Sequence, residues 1–297
     1  AARNLRQKFG ESLGSLQKYD MPIARATTSS LEALKAYSLS IRANNEKGEA
    51  AALPFLKQAI EIDPNFASAY NSLSSSYSNL LEQDRAAEYA QKAYELRDRV
   101  SEGEKYAITA NYFINVTGEP EKCIQTTEAW AQAYPRDASP QALRGYCRQL
   151  LGQYEQAIAS TLQAIRLNPN ANVLYSNLME NYLYLNRLDE AKAAYRQAQE
   201  RKLEGSFLNF DLYSVAFLQG DTREMQRLAS MTVGKPGVED LLLSAQADTE
   251  AFYGRAGKAR SLAREAVESA RHSNEQETAG LWQAKSDLWD AEFGDQE

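Results

Sequence analysis

The feature of this sequence that most constrains its fold is a phrase that occurs twice. QAIEIDPN spans residues 58–65, and QAIRLNPN spans residues 163–170, a separation of three 34-residue steps plus three residues. Steps of this length divide the chain at Pro64, Asp98, Pro135, Pro169 and Leu203, with the three surplus residues between Asp98 and Pro135. A fixed period of this length predicts an array of small modules, each of which buries its apolar face against its neighbours.

Each module carries the pattern of two amphipathic helices. In the clearest one, Tyr175, Leu178 and Tyr182 share a face of the first helix. Ala191 and Ala198 share a face of the second helix, because apolar residues recur there at helical spacing. The turn between the two helices carries a residue that tolerates a left-handed conformation, namely Gly118, Gly152, Asn186, Gly220 or Gly254. A column of mostly small residues lets the paired helices approach each other: Ala52, Ala86, Cys123, Ala157, Ala191, Met225 and Ala259.

This pattern predicts an all-α array over residues 31–297, preceded by an amphipathic helix and linker over residues 1–30. The predicted units are 31–65, 66–99, 100–136, 137–170, 171–204, 205–237 and 238–274, followed by a terminal helix at 275–293. The N-terminal helix would bury Leu5, Phe9, Leu13 and Leu16, and a capping box of Ser29 with Glu32 would begin the array. We expect an open, curved rod in which each unit contacts only its neighbours.

Composition excludes several classes of function. The net charge of −7 and the absence of a long run of Lys and Arg disfavour nucleic acid as a partner. No apolar stretch is long enough to span a bilayer, and residues 1–20 lack the core of a signal peptide. We therefore expect a soluble chain, and its first residues, AARNLRQKFG without Met, indicate a fragment of a longer protein.

Residues with catalytic or metal-binding chemistry are sparse. The chain has one histidine, His272, and two cysteines, Cys123 and Cys147, without neighbours at metal-ligand spacing. We expect the two cysteines to be buried and unlinked. Two acids on the inner face, Glu180 and Asp248, would lie roughly 20 Å apart, too far for a glycosidase pair. The sequence thus predicts no catalytic, cofactor or metal site and no enzyme, with a helical-toroid hydrolase as an alternative.

The repeated residues resemble the tetratricopeptide repeat (TPR), a 34-residue helix-turn-helix with an early aromatic and Leu, Ala in the second helix and Pro at the exit. Tyr70, Leu73, Tyr77, Ala86 and Ala93 fit that pattern, as do the residues of the unit at 171–204. The resemblance implies a TPR-type α-solenoid, a right-handed superhelix of about seven antiparallel helix pairs plus a terminal helix.

In such arrays the first helices line a concave groove that binds protein or peptide. Tyrosines and amides dominate the residues expected there: Tyr37, Asn71, Ser75, Asn79, Lys105, Tyr112, Asn115, Tyr146, Gln149, Ser176, Glu180, Tyr184, Phe210, Ser214 and Phe217. TPR adaptors that bind chaperone C-termini use paired Lys and Asn on successive first helices. No unit here carries that pair, so a carboxylate-clamp chaperone adaptor is disfavoured.

Residues 5–39 also resemble the segment that precedes the TPR region in some bacterial eukaryotic-like serine/threonine kinases and winged-helix regulators. This second resemblance implies the regulatory or sensing region of a bacterial signalling protein, from either the cytoplasm or the periplasm. The leading hypothesis is a non-enzymatic scaffold that binds protein or peptide. The alternative is the C-terminal part of a kinase or transcriptional regulator that acts mainly in self-association as a homo-oligomer.

Overall fold

A computed structural model describes residues 28–235 and 238–293, and the structural statements below refer to this part of the chain. It contains fifteen α-helices and, within the described ranges, no β-strand. The helices are α1 (Leu31–Lys47), α2 (Glu49–Ile62), α3 (Ala67–Asn79), α4 (Gln83–Glu95), α5 (Glu102–Asn115), α6 (Pro120–Ala133), α7 (Ser139–Leu150), α8 (Tyr154–Leu167), α9 (Asn172–Tyr184), α10 (Leu188–Glu200), α11 (Ser206–Leu218), α12 (Thr222–Thr232), α13 (Glu239–Phe252), α14 (Ala256–His272) and α15 (Gln276–Phe293). The predicted all-α solenoid is confirmed, whereas the helix predicted within residues 1–30 lies outside the described residues.

Consecutive helices form seven pairs, α1 with α2 through α13 with α14, and α15 follows alone. Within each pair the two helices pack together, and each second helix also packs on the first helix of the next pair. The array begins at Ser30, whose side chain accepts the backbone N–H of Ala33. The capping box expected of Ser29 and Glu32 was therefore placed one residue too early.

The small residues of the second helices lie at the contact with their partners. Ala86, Ala157 and Ala191 are fully buried, and Ala52 and Ala259 nearly so. Because a methyl side chain lets two helix axes approach closely, this column sets the spacing within each pair.

The two cysteines correct a prediction. Cys123 of α6 and Cys147 of α7 are both buried, as expected, but they form a disulfide with a Cα–Cα distance of 6.3 Å. Their sequence neighbours give no indication of pairing. The packing of α6 against α7 brings the two side chains onto the same contact, and a Cα separation in this range permits a bridge. The bridge links the third helix pair to the fourth.

The expectation of an open rod was wrong at one place. The turn between α3 and α4 contacts the beginning of α15, and we call this contact the seam. The buried carboxylate of Glu82 accepts the backbone N–H groups of Glu277 and Thr278 at 2.9 and 3.1 Å. In return, the carboxylate of Glu277 accepts the N–H of Asp84 at 2.7 Å and that of Arg85 at 3.3 Å. Each glutamate thus caps the helix N-terminus opposite it, where backbone donors lack partners within their own helix.

Leu81 supplies the apolar part of the seam. It adopts a φ of 62°, a conformation that is rare for a bulky residue, at the place where other units carry Gly or Asn. Its side chain packs against a cluster that includes Ala266 and Trp282 of α14 and α15. The curvature of the array therefore brings its last helices onto its second unit.

Candidate functional site

The first helices lie on the inner, concave side of the array. Neighbouring first helices contact one another directly from α3 through α5, α7, α9 and α11 to α13. The second helices of neighbouring units pack on first helices rather than on one another. Because the first helices are crowded together, the array bends toward them, and their inward side chains form a groove.

Polar side chains join the first helices at the N-terminal end of this groove. The hydroxyls of Tyr37 and Ser72 lie 3.0 Å apart. The amide of Asn111 donates to the side-chain oxygen of Asn71 at 3.1 Å, and the amide of Asn115 donates to Asn111 at 2.7 Å. These bonds hold the predicted groove residues Tyr37, Asn71 and Asn115 in fixed positions.

A cavity of about 190 Å³ opens beside this network. It is lined by Tyr37, Ser68, Asn71, Ser72, Glu104, Ala107 and Ile108. Two predicted groove residues, Tyr37 and Asn71, therefore share one concavity.

The middle of the groove presents aromatic rings that are held by stacking or by burial. Tyr112 stacks on Tyr94 with centroids 3.9 Å apart, and the guanidinium of Arg97 lies over the ring of Tyr94. Tyr146 is partly buried, and burial together with nearby Glu180 raises the pKa of its phenol. Because these rings are already ordered, a ligand that packs on them loses little side-chain entropy.

An acidic cluster lies further along, where α9 meets α11. The hydroxyl of Ser176 donates to the carboxyl of Asp211 at 2.5 Å, and Tyr184 donates to Glu180 at 3.2 Å. Complete burial, reinforced by the charge of Glu180, holds the pKa of Asp211 well above its ordinary value. The pKa of Tyr184 rises to about 12 through burial and the same glutamate. The side-chain oxygen of Gln149 accepts from Asn181 at 2.9 Å on the adjacent helix.

Asp211 was missed by sequence analysis, which selected its neighbour Phe210. The available signal was an acid within the otherwise apolar run SFLNFDLYSVAFL of α11. Such a residue is either paired or kept neutral, because an isolated charge is costly to bury. Phe210 itself packs partly against the core, and Ser214 donates to its backbone oxygen.

Other predicted residues lie apart from these clusters. The amine of Lys105, in the first turn of α5, pairs at 2.5 Å with Asp98, which lies in the connection before that helix. The hydroxyl of Ser75 bonds within its own helix. The amide of Asn79 donates to Glu49 at 2.9 Å beside the seam. Phe217 contacts Phe252 at the edge of the array rather than at its centre.

The carboxyl groups that a hydrolase would need are either paired with a lysine or enclosed at the seam. Asp248 pairs with Lys285, which removes it from the pair considered with Glu180. Asp240 and Glu275 line one cavity at the seam, but its volume of about 50 Å³ is far below that of ordinary ligand pockets. Asp240 also accepts the indole N–H of Trp282 at 2.9 Å.

Within residues 28–235 and 238–293, no three His, Cys, Asp or Glu side chains are grouped to hold a metal ion. The helices described there include none with the length and hydropathy needed to cross a bilayer.

The chain is similar to one protein family and to several solved structures. The family model for the tetratricopeptide repeat matches residues 67–99, 138–171 and 175–204. Among solved structures, the chain is similar to PilW, a type IV pilus biogenesis factor, at 14% identity and a TM-score of 0.47, covering 73% of this chain and 100% of that one. It is also similar to TTC0263, a TPR protein of Thermus thermophilus, at 22% identity and a TM-score of 0.46, covering 67% and 97%. YrrB, a TPR protein with an unusual peptide-binding site, aligns at 18% identity and a TM-score of 0.41, covering 64% and 97%.

The matched segments coincide with helix pairs of the array. Residues 67–99 contain α3 and α4, residues 138–171 contain α7 and α8, and residues 175–204 contain most of α9 and all of α10. Residues 67–99, 138–171 and 175–204 thus carry tetratricopeptide repeats, within an array of seven helix pairs that have mostly small residues at their contacts.

Proposed function

We propose that this chain is a scaffold that binds an extended peptide or a protein segment along its concave groove. The observation that carries the proposal is the combination of fixed rings and fixed amides on successive first helices, from Tyr37 to Gln149. Rings offer contact area, and amides such as Asn115 and Gln149 can bond to a peptide backbone, so the two together suit a chain in extended conformation.

The chemistry of the groove favours a segment recognised through its backbone and apolar side chains. Its central residues, Tyr112, Asn115, Tyr146 and Gln149, are uncharged, and the adjoining charges include Glu180. A ligand whose free carboxylate is its main anchor would find no cluster of lysines among these residues. The proposal is therefore an internal peptide segment rather than a C-terminal carboxylate.

A displayed peptide library selected on the purified chain tests this proposal. Tyr112→Ala combined with Gln149→Ala should weaken binding of the selected peptides at least tenfold, because a ring contact and an amide bond are lost together. The matched control is Tyr195→Ala on the second helix α10, which should leave affinity unchanged. Equal affinity in both variants would overturn the proposal, and so would a groove variant whose affinity falls only in step with its melting temperature.

The resemblance of the N-terminal segment supports a finer proposal, that the scaffold belongs to a regulatory region of a bacterial signalling protein. Its test is the complete coding sequence: a kinase or winged-helix domain upstream supports it, and an unrelated domain removes its support. Self-association, the alternative role, would use a surface outside the groove.

A further inference from the structure

One edge of the array carries exposed apolar side chains at a strict repeat spacing. The turn edge is the edge formed by the short turns between the two helices of each pair. The last residue of the first helix in the fourth to seventh pairs is Leu150, Tyr184, Leu218 and Phe252, at intervals of 34 residues. Their exposed fractions are 49%, 55%, 53% and 72%. We call these four residues the edge strip.

The edge strip differs from scattered surface hydrophobics because each residue occupies the same place in consecutive units. Stacked units are about 10 Å apart, so the four side chains form one line. Phe217 and Tyr253 lie 5.1 and 5.3 Å from the ring of Phe252, and Tyr154 stacks on Tyr184 at 4.7 Å. These contacts extend the apolar surface and hold its rings in place.

The turn edge has a different composition in the first three units. In the first three pairs the last residue of the first helix is polar: Lys47, Asn79 and Asn115. At the second pair the turn edge is already covered, because Leu81 and Glu82 contact α14 and α15 in the seam. The edge strip thus lies on the part of the turn edge that α14 and α15 do not cover. The turn edge therefore continues into the seam, where distant units of the chain already contact each other.

We propose that the edge strip is a dimer interface, and that its occupant is the edge strip of a second copy of this chain related by a two-fold axis. The axis runs perpendicular to the strip and reverses its order, so Leu150 faces Phe252 of the other copy and Tyr184 faces Leu218. Two-fold dimers are the commonest homo-oligomers because one self-complementary patch serves both partners.

The edge strip of one copy is too small for a specific interface, but the strips of two copies together supply enough area. Four side chains that are half exposed or more contribute roughly 100 Å² each, on the order of 400 Å² in total, which is the size of the largest apolar patch on a typical monomer, a patch that often has a function. Two strips then supply about 800 Å², and the ring of Tyr253 beside Phe252, 48% exposed in each copy, brings the total to roughly the 1,000 Å² that a specific interface needs.

The rim of the strip has the mixed charge expected around such an interface. Arg187 pairs with Glu155 and Glu190 beside Tyr184, and Glu250 binds Arg255 and Lys258 beside Phe252. These charged side chains give the strip a polar rim of the kind that surrounds specific interfaces.

Sedimentation of the 297-residue chain over a range of concentrations tests the proposal. The wild-type chain should form dimers, and Leu218→Ser with Phe252→Ser should raise the dimer dissociation constant at least tenfold without lowering the melting temperature. Leu31→Ser with Leu167→Ser, which removes two exposed leucines elsewhere, is the matched control and should leave dimerisation intact. A chain that stays monomeric at high concentration would overturn the proposal, as would an oligomer that both double variants weaken equally.

Cross-linking tests the reversed order of the strip. When Tyr184→Cys and Leu218→Cys variants are mixed under mild oxidation, a disulfide-linked dimer containing one of each should form in preference to either variant alone. Cross-links between either cysteine and the opposite edge of the array would instead show head-to-tail stacking and would refute the two-fold arrangement. If variants of the edge strip lose peptide binding but keep the dimer, the strip belongs to the groove, and the dimer proposal is refuted.

Discussion

The bridge between Cys123 and Cys147 provides the sharpest test of how the middle of the array is stabilised. Cys123→Ala with Cys147→Ala removes the bridge. Alanine is suited to the first site because the equivalent positions in other units are Ala86, Ala157 and Ala191. The variant therefore removes the cross-link while it keeps the small-residue column at the contact within the third pair.

The expected loss follows from the length of the closed loop. The cysteines are 24 residues apart in sequence, and the loop-entropy relation gives about 3.4 kcal/mol at 25 °C for a loop of that length. For a domain of this size the loss corresponds to a fall in melting temperature of about 5 to 10 °C. Because each repeat contacts mainly its neighbours, the loss should be concentrated where the bridge acts, in α6 and α7.

Hydrogen exchange followed by mass spectrometry, together with urea unfolding, measures both the size and the place of the effect. Amides of α6 and α7 should exchange faster in the variant, whereas amides of α11 and α13 should not change. The wild-type chain unfolded without reductant should show no free thiol, and after reduction its stability should match that of the variant. Two free thiols in the unreduced chain, or equal stability of variant and wild type, would refute the reasoning. A bridge that persists in the cell would further indicate an oxidising compartment.

Three further predictions concern the seam and the helix contacts. Glu82→Ala should leave the first N–H groups of α15 uncapped and cost about 1 to 2 kcal/mol, seen as faster exchange at Thr278 and a larger radius of gyration in X-ray scattering. The control Glu88→Ala, which removes an acid of α4 outside the seam, should change neither. Burial raises the pKa of Glu275 to about 8, with smaller contributions from Asp240 and Glu82. The folded chain therefore holds this proton more tightly than the unfolded chain, and the stability gained is complete below about pH 4.5 and is lost as the pH rises toward 8. Glu275→Gln should then stabilise the chain by roughly 1 to 4 kcal/mol at about pH 8.5 and by almost nothing at about pH 4.5, and an equal effect at both pH values would contradict the pKa. Ala191→Leu should cost about 1 to 3 kcal/mol through overpacking of α9 against α10, and an unchanged melting temperature would count against the proposed register.

Periodicity revealed most of the fold because each unit repeats the same local rules. Helix pairs, left-handed turn residues such as Asn186, and the buried alanine column all depend on residues within one unit, and these the sequence displays directly. The disulfide and the seam depend on contacts between units. Cys123 and Cys147 meet only because α6 packs on α7, and Glu82 meets Thr278 only because the whole array curves. Neither distance is encoded in a local pattern.

The groove was predictable as a surface but not as a set of contacts. The spacing of the first helices identified Tyr37, Asn71 and Ser176 as inward residues, yet their polar atoms bond to Ser72, Asn111 and Asp211 of adjacent helices. The sequence does not distinguish a side chain that binds a ligand from one that bonds to an adjacent unit, because both need the same inward position. The two roles become distinct only when the partner atom is located.

The seam has a consequence for the groove, because it fixes the curvature of the array. An open solenoid can change its curvature by small rotations at every unit, so a ligand must order the whole array when it binds. Reciprocal capping by Glu82 and Glu277 ties the second unit to the last helix and limits those rotations. A groove held at one curvature binds with less loss of entropy, whereas a variant with an open seam should bind the same peptides more weakly through the same contacts. The contacts that close the array would then contribute to affinity without touching the ligand.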